Sequence, residues 1–367
     1  MSDFVTDRAR PEIFTLKPYV PGKPIEEVKR ELGLEDVIKL ASNENPLGPS
    51  PLAMEAAAAA LPELYLYPDA NCYLLKQKLA GHLGVDTAEI LVGNGSDEIL
   101  MMLATAFLNR GDQVIYGTPT FSEYEFTAKI MGAECREVPL ADFTHDLEGM
   151  LAAINERTKL VYICNPNNPT GTIVSRSALQ GFMERVPEQV LVVFDEAYGE
   201  YAESPEFISG YRYVREGRNA IVLRTLSKIY GLAGLRIGYA LTTSDIAAAV
   251  ERIRAPFNIN SLAQAGARAA LDDSGHLQRS RELNRQGKQY LYASLAKMGL
   301  FYVPTEANFI FVDTGRSCRS VFQSLLEMGV IIRTGDVFGH PDFIRVTIGT
   351  AEQNRRFIDS LAQVLGK

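Results

Sequence analysis

KLVYIC (Lys159–Cys164), VLVVF (Val190–Phe194) and AIVLR (Ala220–Arg224) are three short, mainly apolar runs separated by stretches of helical texture. A strand with one wet face alternates apolar and polar residues. These runs do not alternate, so each calls for cover on both faces, as in a mostly parallel sheet clad in helices. The same rhythm extends outward. RIGYAL (Arg236–Leu241) follows; upstream, QVIYG (Gln113–Gly117) precedes SEYEFTAKIMG, and EILVG (Glu89–Gly93) precedes SDEILMMLATAFL. The fold class expected is therefore α/β, with a mostly parallel central sheet over about 89–245 and helices on both its faces.

Beyond residue 250 the texture changes. A long helical pattern runs from about Ser261 to Met298, then FIFVD, VIIRT and FIRVTIG alternate with helices, predicting a smaller C-terminal α/β domain. Toward the N-terminus, Pro11, Pro18, Pro21 and Pro24 predict an extended arm. A helix follows at about Ile25–Leu32, then a loop at Ser42–Pro51 and helices at about Pro51–Leu61 and Tyr73–Leu83. The division expected is an arm over 1–35, a large ligand-binding domain over 36–250 and a small domain over 251–367.

The 367 residues are 46% hydrophobic and carry a net charge of −8, which argues against a general grip on nucleic acid or anionic membrane. Cys72, Cys135, Cys164 and Cys318 form no CxxC pair, and His82, His145, His276 and His340 show no metal-ligand spacing, so no metal site is expected. MSDFVTDRARPEIF lacks the apolar core of a signal peptide, and no run of 18 apolar residues exists. A cytoplasmic protein is the expectation.

In open α/β sheets ligands bind beyond the carboxyl ends of the strands. After EILVG comes Asn94-Gly95-Ser96-Asp97-Glu98, either an anion-binding turn at a helix start or a plain turn with Ser96 as N-cap. After QVIYG, Phe121 or Tyr124 is a candidate to stack on a planar ring, or else is core. NPNNPTG (Asn165–Gly171) is a rigid polar loop with amide donors, or a double turn. Asp195 follows VLVVF as a desolvated carboxylate or a helix N-cap. Thr225, Ser227, Lys228 and Arg236 bring hydroxyls, an amine and a guanidinium into a dozen residues. Each alone admits a structural explanation. As one set they match the needs of pyridoxal 5′-phosphate: phosphate, ring face, phenolic oxygen, ring nitrogen and aldehyde carbon.

ASNENPLGPSP, YPD (Tyr67–Asp69), GNGSDEI, NPNNPTG, DEAY and RTLSKIYGLAGLRIGY together resemble the fold-type-I, pyridoxal-phosphate-dependent aminotransferases of class I/II, over nearly the whole chain. The resemblance implies that Lys228 holds the cofactor as a Schiff base and shuttles the substrate proton, and that Asp195 pairs with the ring nitrogen. It implies that Tyr198 and Asn168 hydrogen-bond the phenolic oxygen, and that Phe121, where the family often has Tyr, stacks on the ring. Ser96, Asp97, Thr225, Ser227 and Arg236 would surround the phosphate, Asp97 through its backbone. Tyr67 would reach the cofactor of a second subunit, implying a homodimer. Arg345 would grip an α-carboxylate, Tyr19 and Arg333 a substrate phosphate, and Asn43 and Asn168 complete the substrate pocket. PYVPGKPIEEVKRELG and IIRTGDVFG most resemble members acting on L-histidinol phosphate with glutamate and 2-oxoglutarate. An aromatic amino-acid aminotransferase, a threonine-phosphate decarboxylase and an inactive binding domain are the competing expectations.

Overall fold

A computed structural model of the chain describes residues 3–16 and 22–367. Its helices begin with α1 (Asp3–Arg8), α2 (Ile25–Leu32), α3 (Pro51–Ala60), α4 (Tyr73–Leu83), α5 (Ser96–Phe107), α6 (Glu123–Ile130) and α7 (Leu147–Ala152). They continue with α8 (Arg176–Arg185), α9 (Tyr211–Arg215), α10 (Ser244–Glu251), α11 (Ser261–Ala270), α12 (Ser274–Lys297), α13 (Cys318–Glu327) and α14 (Ala351–Leu365). The strands are β1 (Ile38–Lys39), then β2 (Ile90–Gly93), β3 (Gln113–Thr118), β4 (Glu134–Pro139), β5 (Thr158–Cys164), β6 (Leu191–Asp195), β7 (Ala220–Thr225) and β8 (Gly238–Thr242). β9 (Tyr302–Val303), β10 (Phe309–Asp313), β11 (Val330–Ile331), β12 (Arg333–Thr334) and β13 (Phe343–Thr347) follow.

The central sheet has the order β2-β8-β7-β6-β5-β3-β4, and only β8 runs against its neighbours. Its period-2 residues divide between two cores. Val161, Ile163, Val192, Phe194 and Val222 face one helical layer. Leu160, Tyr162, Val193, Ile221 and Leu223 face the other. Both sets are buried, which is why the strands read as unbroken apolar runs. The register aligns Cys164 with Asp195, Asp195 with Leu223, and Thr225 and Gly93 with Gly238, so these chemistry-bearing strand ends share one edge. Successive strands leave β3 in opposite directions, outward to β4 and back through β5, opening a crevice at that edge.

The C-terminal part is a four-stranded antiparallel sheet, β12-β13-β10-β9, packed with α12, α13 and α14 around Leu291, Ile310, Val312, Leu325, Ile344 and Phe357. β1 pairs with β11, so Ile38 and Lys39 join this part by pairing although the sequence division places them in 36–250. Ala263, Ala267 and Ala270 of α11 pack into the large core, although the division places them beyond 250.

Three elements differ from expectation. The arm is not wholly extended: α1 and a 3-10 turn at Pro11–Thr15 form within it, the latter opening on the proline whose fixed φ suits a first helical position. The helical stretch from Ser261 breaks at Leu271–Asp273 because Asp273 caps a new helix, accepting from the His276 N–H at 2.8 Å. β4 lacked an apolar signature because it is an edge strand with Glu134, Arg136 and Glu137 in solvent. Among the described residues no helix is long and apolar enough to cross a membrane, and no cluster of three potential metal ligands occurs.

Candidate active site

A cavity of about 500 Å³ opens at the carboxyl edge of the large sheet, closed on its other side by β12, β13 and the loop after β1. One end has the geometry to hold an anion. Gly95 occupies the N-cap of α5 with φ 81°, and Ser96 is already helical, so the capping role considered for Ser96 falls to Gly95. The reason is steric: a Cβ on Gly95 would lie 2.8 Å from Arg236 Nη2, so a residue without one lets the guanidinium close on the turn. Arg236 Nη2 also donates to Asp97 Oδ2 at 3.1 Å, which turns the Asp97 carboxylate to the cation and leaves the helix N–H groups for the cavity. Thr225 and Ser227 are buried in the same wall, with the Ser227 N–H donating to Thr225 Oγ1 at 3.1 Å.

The opposite wall is anionic. Asp195 ends β6 and is 3% exposed. Its Oδ1 accepts from the Ala197 N–H at 3.1 Å and its Oδ2 from the Tyr124 hydroxyl at 2.7 Å, so it closes a local turn rather than capping a helix. Burial outweighs both bonds and pushes its carboxyl up to about 6. Phe121 lines the cavity, whereas Tyr124 is wholly buried behind it with its ring edge-on to Phe121. Of the two aromatic candidates, Phe121 alone lines the cavity.

Between the ends lies Lys228. Its Nζ donates to the Ser42 carbonyl at 3.3 Å and sits 5.7 Å from the Tyr198 ring centroid. Burial first, then the charge of Arg345, pushes the amine down to about 8, which favours the neutral, nucleophilic form. The Tyr198 oxygen accepts from Asn43 Nδ2 at 2.9 Å, so its own proton remains available to the cavity, and burial holds that proton on. Asn43 adopts φ 57°, held by its N–H to Thr347 Oγ1 at 2.9 Å. Arg345, 6% exposed, donates through Nη1 to Asn168 Oδ1 and through Nη2 to the Ala41 carbonyl at 2.7 Å. With its oxygen engaged, the Asn168 amide keeps Nδ2 for a ligand. Arg333 lines this side too, and a second cavity of about 540 Å³ continues past Phe121 and Arg345 to Leu16, Phe126, Val337 and Phe338.

Tyr67, expected to reach the cofactor of a second subunit, does not line this cavity. It lies on the surface, stacked on Phe257 with centroids 4.7 Å apart. Tyr19 lies outside the described residues. The residue-by-residue reading missed Glu123, which borders both cavities and whose carboxyl is pushed up by burial and by Asp97. It also missed the carbonyls of Ala41 and Ser42 as acceptors for Arg345 and Lys228. A helix-start Glu was a visible signal for the first; backbone acceptors have no sequence signature.

The model of the family described as aminotransferase class I and II matches residues 35–361. A histidinol-phosphate aminotransferase of Moorella thermoacetica is 57% identical, covering 98% of this chain and 93% of that one. One from Caldicellulosiruptor saccharolyticus is 49% identical, over 97% and 99%. Among solved structures, the histidinol-phosphate aminotransferase from Sinorhizobium meliloti in complex with pyridoxal-5′-phosphate superposes with a TM-score of 0.91 at 31% identity, covering 98% of each chain.

Proposed function

The chain belongs to the class I and II aminotransferases, and we propose that it moves the amino group between L-histidinol phosphate and 2-oxoglutarate, giving imidazole acetol phosphate and L-glutamate, in histidine biosynthesis. Its cofactor is pyridoxal 5′-phosphate, and the cavity fits that group: a helix N-terminus with Arg236 at one end, a buried carboxylate at the other, and between them a lysine whose amine is lowered to about 8. That juxtaposition of Asp195 and Lys228 in one cavity is the observation on which the reading rests. When bound, the cofactor supplies an aldehyde that accepts the amino group and a ring that draws electrons from the carbon losing its proton.

In this proposal Ser96, Thr225, Ser227, Arg236 and the backbone at Asp97 hold the cofactor phosphate. Asp195 keeps a proton on the ring nitrogen, Tyr198 and Asn168 donate to the ring oxygen, and Phe121 covers a ring face. Lys228 carries the proton taken from and returned to the substrate carbon. Arg345, with Asn43 and Asn168 around it, orients the α-carboxylate of glutamate; Arg333 and Tyr19 hold the phosphate of the other substrate. The aromatic-lined second cavity offers space for the imidazole ring. A homodimer is also proposed, supported by the exposed Leu61, Leu64, Tyr65, Leu66, Tyr67 and Tyr73, and a cytoplasmic setting, supported by four free cysteines.

A panel of amino donors with 2-oxoglutarate tests this reading. We expect kcat/KM for histidinol phosphate to exceed those for tyrosine and phenylalanine by about a hundredfold, the scale of one phosphate ion pair. Equal values favour an aromatic aminotransferase, and carbon dioxide release from threonine phosphate without 2-oxoglutarate favours a decarboxylase. Arg333→Ala is expected to raise KM for histidinol phosphate more than for glutamate; equal effects remove Arg333 from phosphate recognition.

A further inference from the structure

Asp195 is a buried charge with unusually thin support. Among the described residues it forms no ion pair, and its bonds come from two neutral donors, the Ala197 N–H and the Tyr124 hydroxyl. Tyr124 is the better placed of these. It sits in the first turn of α6, fully buried, with its ring flat on Tyr162 (centroids 4.6 Å apart, interplanar angle 8°) and edge-on to Phe121. Packing against these two rings fixes where the hydroxyl oxygen lies. A phenylalanine would fill the same space, so packing does not explain the oxygen.

We propose that Tyr124 is a positioning residue for Asp195: its hydroxyl keeps the carboxylate ionised and turned so that the remaining lone pairs face the cavity, where they hold a proton on the cofactor's ring nitrogen. This rests on the pyridoxal-phosphate reading of the cavity. The direction of the bond is settled by burial, which together with the Asp195 charge holds the Tyr124 proton well above its ordinary range, so the tyrosine donates. The other groups facing Asp195 do not replace it. Cys164, opposite on β5, is pushed up to about 12 and stays a neutral thiol. Asp97 and Glu196 are anions that oppose the charge. Without the hydroxyl, the proton shared between ring nitrogen and carboxylate shifts toward the carboxylate.

The test is the ¹⁵N resonance of ring-labelled cofactor bound to the full-length enzyme. Tyr124→Phe is expected to move it from the pyridinium position toward that of neutral pyridine, with kcat falling about tenfold to a hundredfold, the loss of one charge-assisted bond, and KM little changed. In an Asp195→Asn background, Tyr124→Phe is expected to cost less than about twofold more, because the group it acts through is gone. A pyridinium signal unmoved in Tyr124→Phe, or an equal loss in both backgrounds, overturns the proposal and leaves Tyr124 a packing residue. Should Tyr124→Phe fold poorly, the neutral-pyridine signal still has to appear in Asp195→Asn with Tyr124 intact, and its absence there overturns the proposal as well. An unsubstituted enzyme that binds no ring-labelled cofactor defeats the cavity reading itself, a result distinct from either.

Discussion

Asp195 and Lys228 are both held away from their ordinary protonation by the same cause, removal from water. For Asp195 the sign is unfavourable to folding at neutral pH. Its carboxyl is raised from 3.8 to about 6, so between those values the folded chain binds more protons than the unfolded one. Stability contributed by this group is complete below 3.8 and is lost as pH rises through about 6. The cofactor-free chain at pH 8 therefore carries a burial cost of about 2–3 kcal/mol at this position. Asp195→Asn removes the charge, and Tyr124, whose hydroxyl rotates to accept, loses no partner. We expect the cofactor-free variant to resist denaturant better than the parent at pH 8 and equally below pH 4, while kcat falls about a thousandfold through loss of the ring-nitrogen charge pair. Equal midpoints at pH 8 would show that the buried carboxylate is not a strained group. Lys228 runs the other way: lowered to about 8, it is the folded chain that has fewer protons, and stability rises as pH climbs from about 8 toward 10.5.

The start of α5 depends on a neighbouring strand as much as on its own residues. Gly238 opens β8 directly beside the turn before α5, paired with Gly93 and Thr225. A Cβ there would lie 2.7 Å from the Ser96 nitrogen, 2.9 Å from the Gly95 carbonyl carbon and 3.0 Å from the Arg224 carbonyl oxygen. All three are backbone atoms, so no side-chain rotation relieves the contact. Gly238→Ala is expected to displace the anion-binding turn, lowering stability by about 2 kcal/mol, the usual scale of overpacking. Pyridoxal-phosphate affinity is expected to fall by more than affinity for pyridoxal, which lacks the phosphate. Equal losses for the two compounds in a binding titration would place the damage elsewhere. The turn itself was legible in GNGSDE as glycine followed by a helix start. The demand on Gly238 was not, because it comes from a strand distant in sequence.

At the scale of the whole molecule, legibility followed burial. Strands covered on both faces announce themselves, since their residues are mainly apolar without alternation; β5, β6 and β7 were readable for that reason. β4 and β1 were not, one being a charged edge and the other only two residues long, too short to show any period, whereas its partner β11 was readable within VIIRT. The site divides in the same way: Asp195 ends β6, Lys228 follows β7 and Arg345 lies within β13, where side-chain chemistry is visible, while the carbonyls of Ala41 and Ser42 arrive from a loop whose carbonyls carry no code. What the surface leaves uncovered leads to the last prediction. Tyr65 and Tyr67 are each 83% exposed, and Leu61, Leu64, Leu66, Tyr73 and Leu74 join them in one apolar stretch, more than a lone soluble subunit ordinarily presents. Tyr67 does not line the cavity of its own chain; in the proposed homodimer a second copy would cover this stretch and give Tyr67 a cofactor to reach. Sedimentation is expected to give about twice 40.5 kDa, and Leu64→Asp with Tyr65→Asp to release single subunits that lose activity in parallel. A fully active species of 40.5 kDa would show that each subunit completes its own site.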